Sequence, residues 1–132
     1  MAFLLNVSGK MKLKYFLLIV LLVIIDQLTK YFFGFVKNTG AAFGILQGYN
    51  FIFILVSFAA LIGFGFYFVK NDKDRLACSL ILAGIIGNLI DRIFFGYVRD
   101  FIDLRIWPVF NLADAAMVVG VGLLVIGMFK KN

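Results

Sequence analysis

Four long apolar runs, separated by short polar segments, make up most of the 132-residue chain. A helix needs roughly 20 mostly apolar residues to cross the hydrocarbon core of a bilayer. The pattern predicts four such spans, over residues 14–35, 51–69, 76–95 and 109–129. Because no repeat or soluble appendage interrupts them, we predict one all-α membrane domain, residues 1–132, built as a bundle of four transmembrane helices.

Composition supports lipid as the solvent for most of this chain. Hydrophobic residues make up 64% of the chain and charged residues 15%, against about 45–50% and about 25% in soluble domains. A small globule must cover itself with polar surface, so this excess does not fit a soluble domain. The net charge is +6, but the basic residues fall between the apolar runs and form no patch, so we expect no nucleic-acid partner.

The distribution of Lys and Arg predicts the orientation of the spans. The eight on one side are Lys10, Lys12, Lys14, Lys70, Lys73, Arg75, Lys130 and Lys131. The five on the other are Lys30, Lys37, Arg92, Arg99 and Arg105. Basic residues accumulate on the cytoplasmic side, so we expect both termini there and the connections near residues 36–50 and 96–108 outside. The first run is too long for a cleaved signal peptide and contains Asp26, so we expect it to remain as a span.

The available residue types limit the chemistry. The chain has no histidine and a single cysteine, Cys78, and all seven of its acidic residues are aspartates. Ser-His and Cys-His nucleophilic pairs are therefore excluded, and the commonest zinc ligand is missing. Any acid–base chemistry must be built from aspartates.

Polar residues at membrane depth form one layer near the outer surface. They lie in the last third of the first and third spans and in the first turns of the fourth: Asp26, Lys30, Asn88, Asp91, Arg92, Asn111 and Asp114. A charged side chain near the bilayer centre costs about 2.5–3.5 kcal/mol on insertion scales, so such residues tend to face inward and serve function. The inner halves of the spans are almost entirely apolar. The pattern therefore predicts an outer polar site and no polar path through the membrane.

Spacing brings these side chains together in pairs. Asp26 and Lys30 are four residues apart, as are Asn88 and Arg92, so each pair shares one helix face. Asn111 and Asp114 are three residues apart and do the same.

A pair of aspartates would give such a site hydrolytic chemistry. Two neighbouring carboxylates cannot both ionise, so one keeps a proton. The ionised carboxylate can deprotonate a water, and the protonated one can donate to a substrate carbonyl oxygen and then assist the leaving amine. Asp100 and Asp114 are the best candidates, with Asn88, Arg92 and Asn111 as supports, although spacing alone leaves other pairings open.

Structural interpretations of the same residues remain open at this point. Asp26 and Lys30 could be only a buried ion pair, Arg92 could reach the interface, and Asn88 and Asn111 could be interhelical hydrogen-bonding residues. Asp100 could be a solvated loop acid.

Other functions fit the pattern less well. A four-helix transporter or channel without hydrolytic activity would need ionisable groups near the midplane. A Ser–Lys peptidase is disfavoured because Ser8, Ser57 and Ser79 cannot meet Lys30. A packing or assembly subunit would leave the outer polar layer unexplained.

Five sequence blocks, in order, resemble the signature of one family. The blocks are "DQLTK" (26–30), "KNTGAAFGIL" (37–46), "GNLIDR" (87–92), "VRDFIDL" (98–104) and "FNLADAAM" (110–117). Over about residues 14–130 they resemble lipoprotein signal peptidase, also called signal peptidase II. The resemblance implies an aspartic peptidase of the bacterial cytoplasmic membrane that uses no metal and no cofactor, with its active site at the outer leaflet. We expect the protein to be a monomer. Its implied substrates are prolipoproteins, cut just before a cysteine that carries diacylglyceryl.

The resemblance also assigns residues. The catalytic pair falls on Asp100 and Asp114, whereas the neighbouring acids Asp91 and Asp103 are not assigned to catalysis. The other polar positions of the family fall on Asp26, Lys30, Asn38, Gly40, Asn88, Arg92 and Asn111. Family members have a longer first outward segment that forms a small sheet; here seven residues separate Lys30 from Asn38, so we expect this sheet to be reduced or absent.

Overall fold

The computed structural model describes residues 7–40 and 46–130 and contains four long helices in that part of the chain. The helices are α1 (Val7–Phe33), α2 (Asn50–Lys70), α3 (Arg75–Phe95) and α4 (Leu112–Lys130), and a 3₁₀ turn (Asp72–Asp74) precedes α3. Each of the four is long and apolar enough to cross a membrane. The predicted four-helix fold is confirmed. Half of the "KNTGAAFGIL" block, residues 41–45, lies outside the described residues.

Helix α3 is the most buried of the four described helices and packs against the other three. Glycines allow the closest approaches. A Cβ atom at Gly84 would lie 2.4 Å from the Ala113 carbonyl oxygen, and one at Gly87 would lie 2.5 Å from Asp26 Oδ2. Such small residues let helix backbones come close together. The result is that the first turns of α4 lie beside the polar residues of α1 and α3.

A two-stranded antiparallel sheet joins the two connections at one end of the bundle, which we call the sheet end. Strand β1 (Val36–Asn38) pairs with β2 (Val98–Asp100), with Val36 opposite Asp100. The sheet was expected to be reduced or absent; in the described residues it is present, and each of its two strands has three residues. Helix α4 begins at Leu112, three residues later than predicted, because Phe110 is held extended by backbone hydrogen bonds to Ile102 of 2.9 and 3.0 Å.

Apolar packing and one arginine hold the opposite end together. Ile19, Phe68, Cys78 and Leu82 belong to the hydrophobic core cluster, so Cys78 is a packing residue. The buried Arg75 guanidinium donates to the carbonyl oxygens of Phe68 (3.2 Å) and Val69 (3.1 Å), near the last turn of α2. These carbonyls have no partner within the helix, so Arg75 satisfies them and fixes the α2–α3 hairpin.

Candidate active site

The first turn of α4 holds Asp114 in a defined position. Asn111 Oδ1 accepts from the Asp114 N–H at 2.9 Å, and Asp114 Oδ2 accepts from the Asn111 N–H at 3.1 Å. This is the reciprocal pattern of a capping box. From α1, Asp26 Oδ1 accepts the Ala113 N–H at 2.8 Å. A helix N-terminus favours negative charge, so the start of α4 suits both carboxylates.

Two amide side chains connect Asp100 with Asp114. Asn111 Nδ2 donates to Asp100 Oδ1 at 2.8 Å and to Asn88 Oδ1 at 3.1 Å. Asn88 Nδ2 in turn donates to Asp114 Oδ1 at 2.8 Å. Asn111 thus bonds to Asp100 through its side chain and to Asp114 through its backbone. The structure brings together the two aspartates that the sequence paired, although β2 and α4 carry them separately.

A cavity of about 230 Å³ opens beside this pair. Its polar wall is formed by Asn38, Gly40, Asn88, Arg92 and Asp114, and its apolar wall by Val98, Trp107, Pro108, Val109, Phe110, Met117 and Val118. Asp100 is only 2% exposed and lies next to the cavity wall, hydrogen bonded to Asn38. A water occupies about 30 Å³ of liquid, so the cavity has room for water and part of a larger molecule.

Lys30 lies beneath the pair and is itself buried. Its Nζ is 2.8 Å from Asp26 Oδ2 and 3.4 Å from Asp91 Oδ2. It also donates to Asn88 Oδ1 at 3.0 Å. That bond fixes the orientation of the Asn88 amide, because Oδ1 must face Lys30 and Nδ2 must then face Asp114. The Asp26–Lys30 pair is therefore a buried ion pair that also orients a residue of the site.

Arg92 anchors the first connection of the sheet end. Its guanidinium donates to the Gly40 carbonyl at 2.8 Å and to Asn50 Oδ1 at 3.1 Å, and it lies 4.7 Å from the Phe53 ring centroid. Asn50 Nδ2 returns a bond of 3.2 Å to the Arg92 carbonyl. Asn50 was not identified as a site residue from the sequence. Its one visible signal is its place as the polar residue that opens an apolar span.

Asp91 and Arg99 form a second buried ion pair next to Lys30, with 2.9 Å between Arg99 Nη2 and Asp91 Oδ1. From the sequence, Arg99 was identified only as a charged residue and Asp91 was assigned no specific role. Asp103 is unlike the other acids of this end: it is exposed and lies 3.7 Å from Arg105.

Burial perturbs the acidity of Asp100. Loss of solvent raises the pKa of its carboxyl, and the negative charge of Asp114 raises it further. Hydrogen bonds from Asn38 and Asn111 and the charge of Lys30 act in the opposite direction. The pKa of Asp100 rises from its ordinary value of 3.8 to about 6.

This shift predicts how stability depends on pH. The folded protein binds a proton at Asp100 that the unfolded chain has already lost between pH 3.8 and about 6. Its contribution to the free energy of unfolding therefore falls as pH rises through that window. We expect Asp100→Asn to remove this decline and to stabilise the protein at pH 7 by on the order of 1–3 kcal/mol. Thermal unfolding in detergent from pH 4 to 8 measures the difference; an unchanged slope in the variant would contradict it.

Comparisons with known proteins identify relatives of this chain. A model of the family described as Signal peptidase (SPase) II matches residues 32–130. The lipoprotein signal peptidase of Halothermothrix orenii is 45% identical over 101 residues, covering 74% of this chain and 70% of that protein. The lipoprotein signal peptidase of Moorella thermoacetica is 46% identical over 133 residues, covering 83% of this chain and 89% of that protein.

Two solved structures of bacterial membrane enzymes are similar to this chain in fold. One bacterial membrane enzyme, determined by the in meso method at 2.3 Å resolution, superposes with a TM-score of 0.82 at 35% identity. The match covers 89% of this chain and 88% of that one. A second, at 1.9 Å resolution, gives a TM-score of 0.76 at 33% identity and covers 90% and 94%. The resemblance noted in the sequence is confirmed: this chain belongs to the signal peptidase II family and is a multi-pass membrane hydrolase.

Proposed function

We propose that this protein removes the signal peptide from diacylglyceryl-modified prolipoproteins, cutting just before the lipidated cysteine with a water activated by Asp100 and Asp114. The observation that carries the proposal is the position of Asn111, which hydrogen bonds to both carboxylates. An aspartic mechanism needs two carboxyl groups near one water, and polar groups that hold them in place.

The charges of the sheet end favour one shared proton. Among the described residues at this end whose side chains are not exposed, four carboxyl groups face three cationic side chains: Asp26, Asp91, Asp100 and Asp114 against Lys30, Arg92 and Arg99. Full ionisation would leave one negative charge uncompensated in a poorly solvated site, and one retained proton removes it. Since Lys30 and Arg99 hold Asp26 and Asp91 in ion pairs, the proton belongs to the Asp100–Asp114 pair.

The reaction then follows general acid–base chemistry. The ionised carboxylate takes a proton from water while the water oxygen attacks the scissile carbonyl carbon. The protonated carboxyl donates to the carbonyl oxygen, which stabilises the negative charge that develops there. Proton transfer to the amide nitrogen lets the C–N bond break. The products are a signal peptide with a new carboxylate and a lipoprotein with a free amine on its cysteine.

The shape of the site suits a substrate that is part peptide and part lipid. An apolar groove of about 320 Å³ shares Trp107, Phe110, Asp114 and Val118 with the polar cavity, and Leu104, Ala115 and Val119 complete it. Peptide groups can hydrogen bond in the polar cavity, whereas apolar parts of the substrate can lie in the groove. The polar cavity and the apolar groove meet at Asp114, so the scissile bond of a bound substrate must lie there.

Charge and aromatic residues support the site's location at the outer leaflet of the bacterial cytoplasmic membrane. Lys12, Lys14, Lys70, Lys73 and Lys130 lie at the end opposite the sheet. Basic residues favour the cytoplasmic side, so the proposal puts the start of α1 and the end of α4 on that side and the sheet end outside. At the sheet end Tyr49 and Trp107 are about half exposed, as is typical of the membrane–water interface.

A cleavage assay on purified protein tests this function. We expect a diacylated prolipoprotein to be cut once, before its lipidated cysteine, and the same polypeptide without lipid to be cut at least about tenfold more slowly, a loss of about 1.4 kcal/mol of transition-state binding. Mass spectrometry identifies the cut. A chelator should leave the rate unchanged, because the proposed chemistry uses carboxyl groups only. Equal cleavage of both substrates, or cutting at many positions, would refute the proposed specificity.

A further inference from the structure

Strand β2 carries Asp100 and is short, although the pairing of Ile102 with Phe110 holds the chain just after it. It is three residues long, and its partner β1 is equally short. A two-stranded ribbon of this size is marginally stable in isolation. Strand β1 gains little support from burial at its start, because Phe35, just before it, and Val36, its first residue, are exposed. A carboxyl group that must act together with Asp114 needs positioning to about 0.5 Å, so an attachment of the β2 backbone would add to the hydrogen bonds that Asn38 and Asn111 make to the Asp100 side chain.

That attachment is Arg99, the residue before Asp100. Its backbone N–H donates to Asp91 Oδ2 at 2.9 Å, its Nε donates to the same oxygen at 3.1 Å, and its Nη2 donates to Asp91 Oδ1 at 2.9 Å. Asp91 thus holds both the main chain and the side chain of one residue. Side-chain pairs of this two-pronged type are strong and geometrically specific.

The pleat of β2 separates the attachment from the reacting group. Successive strand residues point to opposite faces, so Val98 and Asp100 share one face and Arg99 lies on the other. Val98 and Asp100 are 3% and 2% exposed. Arg99 therefore attaches one face of the strand to Asp91, while Asp100 on the other face accepts a hydrogen bond from Asn111.

Asp91 and Arg99 are themselves held in place by further contacts. Gln27 of α1 donates to Asp91 Oδ1 at 3.1 Å and accepts from Arg99 Nη2 at 2.8 Å. The Arg99 guanidinium also lies 4.4 Å from the Phe95 ring centroid. Lysine could not make these contacts, because an ammonium group lacks the planar set of donors.

We propose that Arg99, held by Asp91, is a positioning residue that acts with Asn111 to fix Asp100 relative to Asp114. This inference rests on the proposed role of Asp100 in cleavage. Since other residues line the cavity, loss of Arg99 should lower kcat and leave KM nearly unchanged. Displacement of a reacting group by about 1 Å can cost on the order of 100-fold.

The test compares Arg99→Ala and Arg99→Lys with Arg105→Gln, a change at an exposed arginine of the same connection. We expect Arg99→Ala to lose about 100-fold in kcat with KM within about threefold, and Arg99→Lys to lie in between. Arg105→Gln should behave as the original protein. Millimolar guanidinium should restore turnover to Arg99→Ala, whereas methylammonium should restore much less, because it lacks the planar donors.

The outcomes separate this inference from the proposed function. An unchanged kcat in Arg99→Ala would overturn it. So would a loss that merely follows a lower folded fraction and does not respond to guanidinium, because the role would then be structural. Absence of cleavage by the unaltered protein would refute the proposed function and this inference with it.

Discussion

Replacing Asp100 or Asp114 by asparagine is expected to abolish cleavage of the lipidated substrate. Each change removes a group that must exchange a proton during the reaction, and general acid–base groups contribute about 10²–10⁴-fold each. We expect kcat to fall at least about 1,000-fold in either variant. Because the two carboxyl groups act as one unit, the double variant should be scarcely slower than either single one. Single-turnover rates with saturating lipidated substrate measure all three.

Two controls separate lost chemistry from lost structure. Asp103→Asn removes an exposed acid from the same connection as Asp100 and should leave the rate unchanged. Asp100→Asn keeps one oxygen that can accept from Asn111 Nδ2 and loses the acceptor used by Asn38, a cost of about 1 kcal/mol, so it should remain folded. The two oxygens of Asp114 accept from Asn88 Nδ2 and from the Asn111 N–H, and Asp114→Asn keeps only one of these acceptors. We expect this loss at the helix start to lower the free energy of unfolding by about 1 kcal/mol. Substantial cleavage by either single variant would show that the assigned pair is wrong.

Much of this architecture could be predicted from the sequence, because burial in lipid leaves a simple signal. Four apolar runs give four helices, and polar residues of similar depth must turn toward one another. Asn111 and Asp114 were paired by their spacing alone, and the structure unites them as a capping box. The resemblance added Asn38 and Gly40, and both line the cavity.

The contacts that could not be predicted from the sequence involve the irregular connections between the helices. A three-residue strand has no periodic pattern that would reveal its register, so the pairing of Val36 with Asp100 could not be predicted. Without that register, nothing indicated that Arg99 faces Asp91. The contact between Asn50 and Arg92 likewise joins residues 42 positions apart across a connection. Local spacing rules describe neighbours on one helix and do not reach contacts of this kind.

Lys30→Met is expected to destabilise the protein more than any surface change. The substitution keeps most of the side-chain volume but removes a cation that is 1% exposed and lies within 3.4 Å of two carboxylates. Asp26 would then be buried without its ion-pair partner, and Asn88 would lose the bond that fixes its amide. Breaking a buried pair from one side typically costs about 3–5 kcal/mol. We expect the thermal midpoint in detergent to fall by more than about 10 °C.

The cause of this loss can be isolated with two further variants. Lys37→Met removes a lysine that is exposed at the same end of the bundle, so its midpoint should change little. Adding Asp26→Asn to Lys30→Met removes the carboxylate left without a partner, while Asp91 keeps its pair with Arg99. The double variant should therefore recover part of the lost stability, which is the coupling expected of residues in direct contact. If the double variant is less stable than Lys30→Met alone, the uncompensated charge of Asp26 is not the cause, and the loss must arise from the hydrogen bonds that Lys30 makes to Asn88 and the Gly87 carbonyl.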